Sequence, residues 1–126
     1  MTIAFWCVLA AAILPYLFVG IAKLGGKRGY NNKSPRDFLA KQEGFAKRAN
    51  FAQMNSFEAL PAFAAAVIIA HLAGNASQGL MDNLAMGFIA ARVLYGVCYI
   101  MDLATLRSLV WTAGFGCMVA LFVVSA

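Results

Sequence analysis

Arg48, Asn55 and Glu58 stand at spacings of seven and three in RANFAQMNSFEALP, residues 48–61, which runs straight into AFAAAVIIAHLA. At about 100° per residue these polar groups fall within about 80° of one helical face. Ionisable groups at the mouth of an apolar helix are costly in lipid, so they face protein or water and mark a site. A second stripe follows: Arg92, Tyr95, Tyr99 and Asp102, at offsets of three, seven and ten. The same offsets counted from Arg48 reach Phe51, Asn55 and Glu58. Two antiparallel helices would thus each present a polar face. Arg107, next to Ser108, stands beyond the second stripe. From the residues alone two readings stay open. The stripes form a ligand site, or Glu58 pairs with Arg92 and the two neutralised charges fix helix packing. Arg107 equally suits an interfacial anchor reaching lipid head groups.

The elements that must position these residues are apolar helices. Of 126 residues, 63% are hydrophobic and 12% charged, against roughly a quarter charged in soluble domains. One small membrane domain, residues 1–126, fits this length. Eight of the ten Lys and Arg residues lie between Lys23 and Arg48. Such clustering reads as a cytoplasmic loop at the membrane surface rather than a nucleic-acid face. Cys7, Cys98 and Cys117 all fall in apolar runs and match neither a zinc site nor a disulfide framework. They read as small buried hydrophobes.

Residues 1–22 carry no charge, and a helix of that length covers about 33 Å, enough to cross a bilayer. Its flanking charges follow the apolar run, at Lys23, Lys27 and Arg28, which favours a retained first helix over a cleaved signal peptide. Pro15 is placed to bend it. GGKRGYNNKSPRD is loop by composition, and Ser34-Pro35 reads as an N-cap followed by Pro at the first helical position. A second helix over about 35–73 is expected, with possible bends at Gly44 and Pro61. Ala62, Ala66 and Ala70 give it a small-residue ridge for close helix approach. His71 near its end reads as interfacial or hydrogen-bonded to a neighbour. Asn75-Ala-Ser77 is a glycosylation sequon in a turn too tight to be a good acceptor. Helices over about 80–101 and 106–126 complete four crossings, with Asp102 to Thr105 as the turn between them. That topology puts both termini outside and both basic features inside.

The pattern Arg48-x3-Ala52-Gln53-x-Asn55-x2-Glu58-x2-Pro61, followed by Arg92-x2-Tyr95-x3-Tyr99 and Arg107-Ser108, resembles the MAPEG family of membrane-associated proteins in eicosanoid and glutathione metabolism. The resemblance spans nearly the whole chain. It implies an all-α, integral membrane four-helix bundle assembled as a homotrimer, with glutathione as co-substrate between neighbouring subunits near the cytoplasmic surface. It assigns Asn55 and Glu58 to glutathione's polar backbone, Glu58 accepting from the ammonium. Arg48, Arg92, Tyr95 and Tyr99 match further polar contacts, and Arg107 matches an Arg lying against the sulfur. A guanidinium suits that place. A free thiol with a pKa of about 8.5 is only a few per cent thiolate at neutral pH, and lowering it by about two units takes about 2.7 kcal/mol.

One departure bears on activity. Where glutathione-using members commonly carry another Arg before the Ala-Gln pair, this chain has Phe51. That departure favours a non-catalytic reading, while the resemblance as a whole implies a glutathione-dependent transferase or peroxidase acting on lipophilic electrophiles. Its partners would be membrane lipid, a lipophilic small molecule and further copies of itself, with no nucleic acid. No metal is expected, since one His and scattered Cys make no ligand set. The alternative is a non-catalytic lipid-binding or scaffold protein of the same fold. A small transporter is the third reading, weakened by the lack of repeats and broken helix pairs. Compactness points to a bacterial-type member in an inner membrane.

Overall fold

The computed structural model describes residues 1–26 and 29–126. Lys27 and Arg28, counted above among the basic residues of the first loop, lie outside the described residues. The chain forms α1 (Ile3–Leu24), α2 (Pro35–Ala40), α3 (Gly44–Ala73), α4 (Gln78–Ile100) and α5 (Ala104–Val123). The four long helices, α1, α3, α4 and α5, each have the length and apolar composition to cross a membrane. The protein is all-α, an integral multi-pass membrane protein.

The core is built from small side chains that let backbones approach. Ala4, Cys7 and Ala11 of α1 pack with Phe63, Ala66, Val67 and Ala70 of α3 and with Met81, Ala85 and Phe88 of α4. Phe63 and Phe88 stack across the α3–α4 seam with centroids 3.9 Å apart and planes 8° apart. Nearer the first loop, Leu14 and Phe18 pack with Ala52, and Tyr99 and Ile100 lie against them. Ala66 and Ala70 of the expected ridge are fully buried, whereas Ala62 is exposed and lines a cavity. A four-residue repeat drifts around a 3.6-residue helix, so its three members do not share one neighbour. Helix α5 is the least enclosed, with only Gly114 and Leu121 buried. Gly114 lets it close on α4, since a Cβ there would lie 3.1 Å from that of Ala91.

The expected single helix over 35–73 is divided. Residues 41–43 are non-helical, and Gly44 turns the chain at φ +58°. Glycine takes such a dihedral at no steric cost, so Gly44 breaks the helix rather than bending it. Ser34 occupies the N-cap position of α2 with Pro35 in its first turn, but its hydroxyl makes no capping hydrogen bond.

Polar contacts tie the helices together at both ends. At the end remote from the first loop, the orphan N–H groups of α1 find acceptors: Phe5 donates to Thr2 Oγ1 at 3.3 Å and Ala4 to Asp82 Oδ1 at 2.8 Å. His71 meets Thr2 Oγ1 at 3.1 Å and the Val67 carbonyl at 2.8 Å, and stacks on Phe5. Asn75 donates its amide to the carbonyls of Ser125 and Ala126.

The loop end holds the turn that matters for the site. Asp102 adopts φ +61° after α4, Leu103 N–H returns to the Cys98 carbonyl at 2.8 Å, and Asp102 N–H to Tyr99 at 3.1 Å. This is a Schellman closure with Asp in the left-handed place usually held by Gly. It reverses the chain at once, so α5 starts beside Tyr99.

Candidate functional site

Two cavities lie side by side along α3. The first, about 240 Å³, is lined by Asn55, Glu58, Ala59 and Ala62 of α3, Phe88 and Arg92 of α4, and Trp111, Phe115 and Met118 of α5. The second, about 310 Å³, is lined by Phe51, Met54, Asn55 and Glu58 of α3 with Tyr95 and Tyr99 of α4. Asn55 and Glu58 belong to both and form the shared wall. Their side chains meet, Asn55 Nδ2 donating to Glu58 Oε2 at 3.2 Å. Asn55 Oδ1 and Gln53 Oε1 are buried without a hydrogen-bond partner. A buried acceptor with no donor is unfavourable by about 1–3 kcal/mol, so a ligand N–H offered to Asn55 would be well received.

Arg92 sits about 12 Å of helical rise inside the loop end of α4, eight residues before Ile100. It is 4% exposed. Its Nη2 donates to Ser56 Oγ at 3.1 Å, and its guanidinium lies 4.3 Å from the centroid of Tyr95. Ser56 in turn donates to the Ala52 carbonyl at 2.8 Å. Among the described residues no ion pair joins Glu58 to Arg92. Glu58 is exposed and turned outward, while Arg92 is turned into the bundle. The reading in which the two pair and fix the packing is therefore not what the structure contains.

Arg107 rides on Tyr99, its guanidinium 4.3 Å from the ring centroid, and Tyr99 meets Tyr95 edge-on at 5.6 Å. The sharp α4–α5 turn makes this possible, because it places the first turn of α5 over the last turn of α4. Arg48 stands apart. Its Nε donates to the Ile100 carbonyl at 3.0 Å, satisfying one of the carbonyls that α4 leaves open at its end. Arg48 lines neither cavity.

The structure thus gathers Asn55, Glu58, Arg92, Tyr95 and Tyr99 around the shared wall, sets Arg107 on the rim, and leaves Arg48 at the helix end. Ser56, Trp111, Phe115 and Met54 were not singled out from the sequence. Ser56 was the readable one, a hydroxyl inside an apolar stretch. Trp111 and Phe115, stacked at 5.3 Å, had no contrast among the apolar residues that make up most of α5 after Arg107. Phe51 faces the second cavity with its ring 6.2 Å from Tyr99. Among the described residues no group of His, Cys, Asp or Glu is gathered as a metal site.

Such a site can hold a zwitterion or anion in the second cavity and an apolar molecule in the first. Searches among curated proteins and among solved structures give no match. The family model described as MAPEG family matches residues 3–126, so on that match the chain belongs to the MAPEG family.

Proposed function

We propose that the protein is a glutathione-dependent transferase or peroxidase for lipophilic electrophiles, working as a homotrimer whose first loop is cytoplasmic and whose termini are outside. The observation that carries this reading is the shared wall. A polar, aromatic cavity and a largely apolar cavity meet at Asn55 and Glu58. Glutathione supplies a thiolate that adds to an electrophilic carbon or takes an oxygen from a hydroperoxide, a second glutathione then closing the disulfide.

The residues present fit that co-substrate. The Asn55 carbonyl oxygen lacks a donor, and Glu58 offers a carboxylate to an ammonium. Arg107 over Tyr99 brings a cation to the rim, where it would stabilise a thiolate. Trp111 and Phe115 give the neighbouring cavity an apolar flank on the lipid side of α5. An exposed carboxylate midway along a membrane-length helix calls for cover, and a neighbouring copy of the chain would supply it.

One observation favours the other reading, a non-catalytic lipid-binding or scaffold protein. Phe51 places an apolar ring, 38% exposed, on the wall of the polar cavity. Calorimetric titration of glutathione into the purified protein separates the two. Saturable binding together with thiol-dependent turnover of an electrophile supports the enzyme, and no heat at millimolar glutathione overturns it.

A further inference from the structure

A third cavity, about 520 Å³, is a trough along α1 formed by Tyr16, Leu17, Gly20, Ile21, Leu24 and Gly25. It shares no lining residue with the two cavities described above. Tyr16 and Leu17 are 63% and 60% exposed, yet the Tyr16 ring is braced edge-on against Phe57 of α3, centroids 5.6 Å apart. Above Gly20 the trough is open, since a Cβ there would meet nothing within 4 Å.

Tyr16 and Leu24 are eight residues apart on α1, about 12 Å of helical rise. One leaflet contributes about 15 Å of a hydrocarbon core about 30 Å thick. The trough ends where α1 ends, at Leu24. It therefore runs from the membrane surface at the first loop down most of one leaflet. An apolar trough of that length fits an acyl chain.

Cations stand at its mouth. Lys23, seven residues after Tyr16, returns to within about 20° of it around the helix, at the end nearest the loop. Its Nζ stands 4.8 Å from the centroid of Tyr30, whose ring meets Phe38 of α2 edge-on. Leu39 pins α2 in place, buried with Ala22 of α1 and Ala49 of α3. Lys33, Arg36 and Lys41, in and beside α2, are exposed. From Lys23 to Arg48 the sequence holds eight basic residues against two acids, Asp37 and Glu43. A zwitterionic headgroup leaves that excess unanswered, and an anionic one answers it.

We infer that the loop end of α1 is a binding site for an anionic phospholipid, with one acyl chain in the trough from Tyr16 to Leu24 and the headgroup phosphate at Lys23. Lys33, Arg36 and Lys41 add attraction over the reach that salt allows, about 8 Å at physiological ionic strength. The trough alone would accept any acyl chain, and the cations alone any phosphate. A ligand that uses both is amphipathic and negatively charged. The site is independent of the glutathione reading.

The test is native mass spectrometry of the full chain in detergent, titrated with phosphatidylglycerol or with phosphatidylcholine of the same acyl chains. The wild type should bind the anionic lipid about tenfold more tightly, a preference that raised salt shrinks. Lys23→Met should cut the preference about fivefold, the equivalent of about 1 kcal/mol for one basic residue at an anionic surface, and Lys23→Arg should keep it. Gly20→Leu, which fills the trough, should weaken both lipids alike. Equal binding of the two lipids by the wild type would reduce the trough to ordinary contact with the bilayer and overturn the site. So would a Lys23→Met protein with the full preference, or a Gly20→Leu protein that binds both lipids as the wild type does. Displacement of the lipid by inorganic phosphate would show an ion site in which the trough has no part, and would overturn it too.

Discussion

Arg92 and Glu58, the one acid and one base that the sequence places within reach across α3 and α4, do not pair. Arg92 turns inward to Ser56 Oγ at 3.1 Å, and Glu58 turns outward to Asn55 at 3.2 Å. The buried guanidinium is held by a hydroxyl and an aromatic face, and the carboxylate stays available at the cavity wall. The two opposite charges are thereby satisfied by different neighbours rather than by each other.

Ser56→Ala should destabilise the protein by about 1–2 kcal/mol, because it strips a buried guanidinium of its hydroxyl acceptor. Arg92→Met in the same background should cost less than it does alone, a coupling that a double-mutant cycle on detergent unfolding would read. Additive effects would show that the 3.1 Å contact contributes nothing.

On the proposed function, in which Arg107 stabilises the thiolate, Arg107→Ala should lower turnover by about 10- to 100-fold while leaving glutathione affinity nearly unchanged. Asn55→Ala and Glu58→Ala should do the reverse, raising KM by about tenfold through the non-reacting part of the ligand. Steady-state kinetics over a range of glutathione settles it. Turnover indifferent to Arg107→Ala would remove the thiolate role.

How far the sequence could be read depended on which coordinate a residue pattern carries. Helical spacing gives an angle, and by angle Arg48 shares a face with Asn55 and Glu58. It does not show what stands opposite at each depth. Arg48 lies seven residues before Asn55, about 10 Å along the axis, level with the end of α4, and so it caps Ile100. The polar residues inside apolar runs, Asn55, Glu58, Arg92, Tyr95 and Tyr99, stood out because lipid makes their placement costly. Trp111 and Phe115 had no such contrast. The rotation of α4 that buries Arg92 beside Ser56 is set by packing, through contacts such as Phe63 on Phe88, which no single-helix pattern encodes. Gly44 was visible as a weak point, but whether a glycine bends or breaks a helix depends on its φ, +58° here, which residue spacing does not encode.

Phe51→Arg should tighten glutathione binding by about 10-fold if the new guanidinium reaches a carboxylate, since the side chain at this position already lines the cavity. Titration calorimetry reads the affinity. A weakened complex with lower thermal stability would mean that the ring is needed for packing.

Gly96→Ala should destabilise the bundle by about 1–3 kcal/mol, since a Cβ at Gly96 would run into the ring of the buried Phe18. Phe18→Leu should recover part of that loss in the double variant although it is harmful alone. Melting temperatures of the four proteins in one detergent decide it, and a Gly96→Ala protein as stable as the wild type would show that α1 yields at this seam.

The shared wall makes the two cavities parties to one equilibrium. Any ligand that supplies the donor Asn55 Oδ1 lacks, or draws Glu58 off Asn55 Nδ2, resets the surface offered to a ligand on the other side. Linkage then requires reciprocity: the factor by which a thiol changes the affinity for an apolar molecule equals the factor by which that molecule changes the affinity for the thiol. If the proposed function holds, occupancy of the first cavity would in this way register in the thiol titration, and the bilayer's content of apolar solutes would tune how much thiol the protein holds.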